Sequence, residues 1–185
     1  QYSRALQHYL HLLEHQEADL NLLYNLGLTY QNLKRPEEAQ LYLEQAIALD
    51  PTYAKAFYAL ACLAYQQEVY QEALEHYQAA IALEPASAKI ASGLAMAYQQ
   101  LGQAELSIRW FQKSLAAEDG NPEDHYHLAC LYEDLNQPAQ AMQSYAQYLK
   151  FFPYATDALY NLALLHLQQT EHKKAEHLLR RTVEI

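Results

Sequence analysis

His8, His11 and His15 fall at i, i+3 and i+7, close to one face of a helix. Imidazoles one turn apart can hold a divalent metal. No cysteine or carboxylate stands at a spacing that completes the set, so the triplet reads as a solvated stripe. His125 and His127 are two apart and point to different faces of a helix. Cys62 and Cys130 are the two cysteines, and the sequence has four glycines. It shows no glycine-rich phosphate loop, no nucleophile elbow and no His-Glu-x-x-His. These residue types therefore predict no catalytic residue, no metal and no cofactor. What remains is recognition by contact, on a surface that regular elements must position.

Leu26, Leu60, Leu94, Leu128 and Leu162 stand 34 residues apart. A constant period of this size marks stacked helical units, each burying its apolar face on its neighbours. With Leu20 at position 1 of a 34-residue frame, position 8 holds Gly27, Ala61, Ala95, Ala129 and Ala163. Position 20 holds Ala39, Ala73, Ser107, Ala141 and Ala175, and position 24 holds Leu43, Tyr77, Phe111, Tyr145 and Leu179. Small residues at 8 and 20 let two helices approach, and bulky ones at 7 and 24 fill the space between them. Apolar residues recur with helical spacing along 20–33 and 38–49, and no stretch alternates like a strand. Pro36 and Pro138 suit the first turn of a second helix. Gly102 and Asn136 suit a left-handed turn between the two helices of a unit. Thr52, Ser87 and Asn121 are the candidate N-caps, Asn121 with Pro122 as the first helical residue. The expectation is eleven helices, A and B alternating, led by a lone B helix.

Leu23, Leu26-Gly27, Tyr30, Ala39, Leu43 and Pro51 follow the tetratricopeptide repeat (TPR) pattern, and four further copies follow in the same register. The chain therefore resembles the TPR family over essentially its whole length. Asp119 departs from the closing proline, and Ala64-Tyr65 shifts an aromatic by one place. The resemblance implies an all-α, right-handed α-solenoid of antiparallel helix pairs. Residues 1–185 read as one array: a half repeat 1–17, then repeats 20–51, 54–85, 88–119, 122–153 and 156–185. Gln1 is no initiator, the first unit lacks an A helix and Ile185 is apolar. The array thus reads as a piece of a longer protein.

Helical geometry divides each A helix into two faces. Positions 4, 7, 8 and 11 cluster on the core side, and positions 2, 5, 9, 12 and 13 on the opposite side. In the family the second set lines a concave groove that holds peptides. Position 5 is Tyr24, Tyr58, Ser92, Tyr126 and Tyr160, and position 9 is Leu28, Cys62, Met96, Cys130 and Leu164. Tyr65 stands at position 12, while position 2 runs Asn21, Lys55, Lys89, Glu123 and Asp157. The groove is thus a tyrosine ladder beside a soft apolar stripe, basic toward one end and acidic toward the other. Such a surface suits an extended segment with apolar anchors, and the charge gradient would set its direction. The tyrosines can equally pack between neighbouring helices. One TPR subclass grips chaperone-tail carboxylates with lysine, asparagine and arginine at fixed positions. Here the matching set is Tyr24, Leu28, Ala59, Lys89 and Gly93, of which Lys89 alone fits. Another subclass holds ligand backbone with an asparagine ladder at position 6. Asn25 and Asn161 match it, while Ala59, Gly93 and His127 do not. His127 is kept among the groove candidates by its place in that column.

Composition narrows the partners. The net charge of −10 excludes a nucleic-acid face and an electrostatic membrane anchor. No segment is apolar enough to insert in a membrane. Charged residues make up 18% of the chain, and 17 tyrosines stand in for them. Tyrosine is a favoured contact residue at interfaces. Cys62 and Cys130 lie two repeats apart, roughly 20 Å at about 8–10 Å per packed helix, beyond disulfide reach. Free thiols favour a reducing, cytoplasmic compartment over the periplasm without fixing it. His166, at a core position, reads as a hydrogen-bonded packing residue, and Trp110 as folded over the B-helix seam. The function this predicts is a non-enzymatic scaffold or adaptor for a protein or peptide partner. Two alternatives stand beside it. One is a docking or substrate-presenting module of a larger enzyme or secretion machine, polysaccharide export included. The other is a scaffold that self-associates through open solenoid ends.

Overall fold

The computed structural model describes residues 2–15 and 19–183. The outer ends of the leading half repeat and of the last repeat, with Ile185, lie outside them. Eleven helices and no strand occur among the described residues. They are α1 (Tyr2–His15), α2 (Leu20–Asn32), α3 (Pro36–Leu49), α4 (Ala54–Gln66), α5 (Tyr70–Leu83) and α6 (Ala88–Gln100). α7 (Ala104–Ala116), α8 (Asp124–Asp134), α9 (Pro138–Phe151), α10 (Thr156–Gln168) and α11 (His172–Val183) follow. Each helix packs on the next in sequence, and α4 also touches α2 and α6 directly. The even-numbered helices are the A helices and the odd-numbered ones the B helices. The leading α1 takes the place of a B helix.

The column logic holds in the core. Ala39, Ala61, Ala73, Ala95, Ala129, Ala141, Ala163, Ala175 and Ser107 are all fully buried, as are Leu26, Leu43, Leu94, Phe111 and Tyr145. A β-carbon added at Gly27 would stand 2.6 Å from Leu43 Cγ, so the close A-to-B approach needs a residue with no side chain there. Tyr98 and Tyr132 each accept a bond from a glutamine of the preceding repeat, Gln78 at 3.1 Å and Gln112 at 3.2 Å. The repeats are therefore joined by hydrogen bonds as well as by apolar contact. Trp110 is half-buried across two core clusters, with Lys113 Nζ 4.5 Å from its ring centre. His166 Nδ1 meets Glu171 Oε2.

All five A helices end in the same Schellman closure, the amide of the second residue past the cap reaching back five residues. The bonds are Arg35–Tyr30 at 3.0 Å, Val69–Ala64 at 3.0 Å, Gln103–Tyr98 at 2.9 Å, Gln137–Tyr132 at 2.8 Å and Glu171–His166 at 2.8 Å. The residue inside each closure is left-handed: Lys34, Glu68, Gly102, Asn136 and Thr170, with φ between 55° and 71°. Sequence signalled this at Gly102 and Asn136 alone. At the other three the packing of A on B imposes the turn against local preference. Thr170 is the most strained, because a β-branched residue rarely adopts positive φ. Replacing Thr170 by glycine is expected to raise the unfolding free energy by about 1 kcal/mol, read by chemical denaturation.

Two of the expected caps differ. The Thr52 hydroxyl donates to Asp50 Oδ1 at 2.7 Å and does not cap α4, because the helix starts at Ala54 with Tyr53 at its cap position, one residue beyond Thr52. Asn121 Oδ1 accepts from the Glu123 amide at 3.2 Å, but Pro122 and Glu123 form a turn and the regular helix starts at Asp124. Ser87 does cap α6, its hydroxyl accepting from the Ile90 amide. The link from α7 to α8, residues 117–123, is longer than the four-residue links 50–53, 84–87 and 152–155. It contains Asp119 where other repeats have proline.

Candidate functional site

A cleft of about 440 Å³ lies between α4 and α6, on the side of the A helices away from their core positions. Tyr58, Cys62 and Tyr65 line it from α4, and Lys89, Met96, Ser92 and Gly93 from α6. Tyr77 forms part of its lining, and Asp119 and Asn121 reach it from the long link. Tyr58, Cys62, Tyr65, Lys89, Ser92 and Met96, all from columns that the frame assigned to the groove, thus share one concavity. Tyr58 and Tyr77 rings meet at 5.8 Å, and Lys89 Nζ lies 4.5 Å above the Tyr58 ring. That cation–π contact is worth about 0.5–1 kcal/mol at a surface. Cys62 Sγ touches Tyr77 Oη at 3.5 Å, and burial beside Cys62 pushes the Tyr58 hydroxyl far above its ordinary value. Tyr58 is therefore neutral at any working pH and offers a ring and an uncharged hydroxyl.

The same Tyr-Cys-Tyr set recurs two repeats on. Tyr126 packs on Tyr145 at 5.7 Å, and Cys130 Sγ lies 3.6 Å from Tyr145 Oη. Here the tyrosine hydroxyl is engaged. Asn161 donates to Tyr145 Oη at 3.1 Å, and that hydroxyl donates to Glu133 Oε2 at 2.5 Å. Asn161 is thereby engaged within the fold. Burial raises the Cys130 thiol, which keeps it protonated and unreactive at neutral pH. Both cysteines are free thiols.

The remaining candidates fall into three groups. Asn21, Lys55 and Lys89 are exposed on the A helices. Tyr24 is half-buried edge-on against Tyr53 at 5.4 Å, and Leu28 packs beside it against Leu43, Ala59 and Leu60. Asn25 is half-buried, and its backbone carbonyl accepts from the Thr29 hydroxyl. His127 lies flat on Phe111 at 5.2 Å, and burial lowers its basicity. On α10, Tyr160 is 51% and Leu164 37% exposed. Tyr24, Tyr58 and Tyr126 thus pack one side of the ring on a neighbour, and in α4 the ring also lines an open cleft, whereas Tyr160 is exposed.

One group escaped the frame. Asp124 occupies position 3, where the other repeats have Leu22, Ala56, Ile90 and Ala158, and it is fully buried. Its Oδ1 accepts from the Ser92 hydroxyl at 2.7 Å and from Asn121 Nδ2 at 3.3 Å. Its Oδ2 and the neighbouring Ser114 Oγ have no partner in hydrogen-bonding geometry. Burial raises its pKa above the ordinary aspartate value, opposed by Ser114, Ser92 and the two nearby histidines. An acid in an otherwise apolar column was the available signal. Ser92, a serine in the tyrosine column, is its partner.

Among the described residues no three His, Cys, Asp or Glu side chains converge to hold a metal, and no helix is long and apolar enough to cross a membrane. His8, His11 and His15 are exposed on α1, with the His11 and His15 rings stacked at 4.3 Å.

Comparison with solved structures places this architecture. The TPR protein YrrB, described as having an unusual peptide-binding site, superposes with a TM-score of 0.78 at 18% identity, over 95% of this chain and 91% of that one. MamA from Desulfovibrio magneticus RS-1 gives 0.80 at 17% identity, over 91% and 96%. PilF of Pseudomonas aeruginosa gives 0.77 at 20%, over 89% and 75%. At such identities the likeness shows the fold. No curated protein matches the sequence. Tetratricopeptide repeat models match residues 21–53, and a second one matches 58–122 and 126–185. With most of its length under those models and its helices closing in a single repeated register, the chain belongs to the tetratricopeptide repeat family.

Proposed function

We propose that this chain is a non-enzymatic adaptor that holds a segment of a protein partner along the inner face of its A helices. The observation that carries this reading is the cleft between α4 and α6, where Tyr58, Cys62, Tyr65, Lys89 and Met96 line one concavity. Half-buried tyrosines suit binding because their rings are already held by Tyr53, Tyr77 and Tyr145, so little side-chain freedom is lost on contact. The exposed Tyr160 and Leu164 extend the surface along α10. The exposed position-2 residues run from Lys55 and Lys89 to Glu123 and Asp157, which directs an acidic ligand end toward α4 and α6. YrrB, of like fold, is described as a peptide binder, and that supports the reading by analogy.

The test is the double variant Tyr58→Ala, Tyr126→Ala. Partner affinity is expected to fall at least about tenfold, while stability changes by roughly 1–2 kcal/mol, as for half-buried contacts. Collapse of the fold would instead assign these rings to packing between repeats.

A further inference from the structure

The two Tyr-Cys-Tyr sets differ in one respect that bears on ligand chemistry. In the set of α8 and α9, Asn161 and Glu133 close over the Tyr145 hydroxyl. In the set of α4 and α5, the corresponding positions are Gly93 and Tyr65. A β-carbon at Gly93 would stand 2.5 Å from Tyr77 Cε1, so the bare α6 backbone is what lets the Tyr77 ring lie against it. Next to it, Ser92 replaces the tyrosine of that column and turns inward to Asp124. The outcome is an open socket of about 440 Å³ with aromatic walls, lined also by Met96 and Cys62.

The rim is polar and sided. Lys89 stands over Tyr58 and is in none of the ion pairs found among the described residues. Asp119 and Asn121 reach the cleft from the long link. The net charge of −10 does not cancel the local attraction, because exposed charges more than about 8 Å away are screened at physiological salt.

We infer that this socket is the specificity pocket of the groove, taking one large aromatic or branched apolar side chain from a partner segment with a carboxylate beside it on Lys89. The inference rests on the groove reading above and adds the anchor and its flanking charge. Met96, polarisable and flexible, adapts to the shape of the anchor. The tyrosine faces supply ring contacts at distances typical of aromatic pairs. At Tyr145 the hydroxyl is already engaged by Asn161 and Glu133, so that set offers no free hydroxyl to a second anchor.

A random dodecapeptide display library, selected on the immobilised intact chain, supplies the probes. Enriched peptides are then synthesised and titrated by fluorescence polarisation. The expected result is a shared Phe, Tyr, Trp or Leu next to an Asp or Glu. Met96→Trp fills the socket and should weaken these peptides at least about tenfold. Lys89→Glu, an exposed change that leaves the core untouched, should weaken them about fivefold or more and favour peptides with Lys in place of the acid. Peptides that lose affinity in Tyr24→Ala or Tyr126→Ala but not in Met96→Trp or Lys89→Glu overturn the socket and leave the groove reading standing. If no peptide is enriched, or if all are indifferent to every inner-face variant, both readings fall.

Discussion

Truncating Leu94 to alanine is expected to lower the unfolding free energy by about 2–5 kcal/mol. Leu94 is fully buried on α6, in the cluster that joins Tyr77, Ile81, Ile90 and Tyr98. The cluster draws on α4, α5 and α6, so side chains fixed on three helices surround the missing methyls and limit collapse around them. Repeat arrays are stabilised by nearest-neighbour interfaces, and Leu94 lies in the third of five repeats. The loss should therefore also divide the array, so that denaturation of the variant broadens and its denaturant dependence falls. Circular dichroism through a urea series measures both. A neutral result would mean that the 34-residue frame does not describe the core.

Asp124→Asn is the second change with a large effect, and it is stabilising. The carboxylate is buried with one oxygen unpartnered, which costs about 1–3 kcal/mol when charged. Asparagine keeps an acceptor for Ser92 and places a donor toward Ser114. The sign with pH follows from the raised pKa of Asp124 in the fold. The folded state holds this proton more tightly than the unfolded state does. Its contribution is fully present below the ordinary aspartate value of about 4 and is lost as pH rises through the folded value. The advantage of the asparagine variant should thus reach about 1–3 kcal/mol at pH 7 and shrink toward zero near pH 4. His125 and His127 act in the opposite sense. Burial lowers both, so their contribution is present above about 6.5 and is lost as pH falls. The difference between the two proteins separates Asp124 from the shared histidine background. An asparagine variant less stable at pH 7 would show that the charged form is favoured in place.

The periodic part of this molecule was open to reading because it depends on side-chain size in register. The alanines of positions 8 and 20 and the leucines of position 7 name the core without reference to any contact. The left-handed turns at Lys34, Glu68 and Thr170 were not readable, since nothing in those residue types favours positive φ. They follow from helix packing, which local chemistry does not encode. The inner face was legible as columns but not as a shape. Columns place Tyr58 and Tyr126 on equal terms, whereas Gly93 opposite one and Asn161 opposite the other make an open cleft and a closed network. His127 entered the list by column and is drawn onto Phe111, an aromatic partner on the preceding repeat. Asp124 was visible only as an exception within a column, and its meaning came from Ser92, 32 residues earlier.

On the proposed reading, the inner face of the A helices holds the partner and the outer face of the B helices does not. Quantitative affinity capture distinguishes the two faces. Three baits are used: the unaltered chain, the Tyr58→Ala, Tyr126→Ala variant, and an outer-face control carrying Glu75→Ala and Arg109→Ala on exposed positions of α5 and α7. All three must first show the same helical circular dichroism. A partner retained by the unaltered chain is expected to be retained equally by the outer-face control and reduced at least about tenfold with the tyrosine variant. Equal retention by a folded tyrosine variant, with loss on the outer-face control, would contradict it.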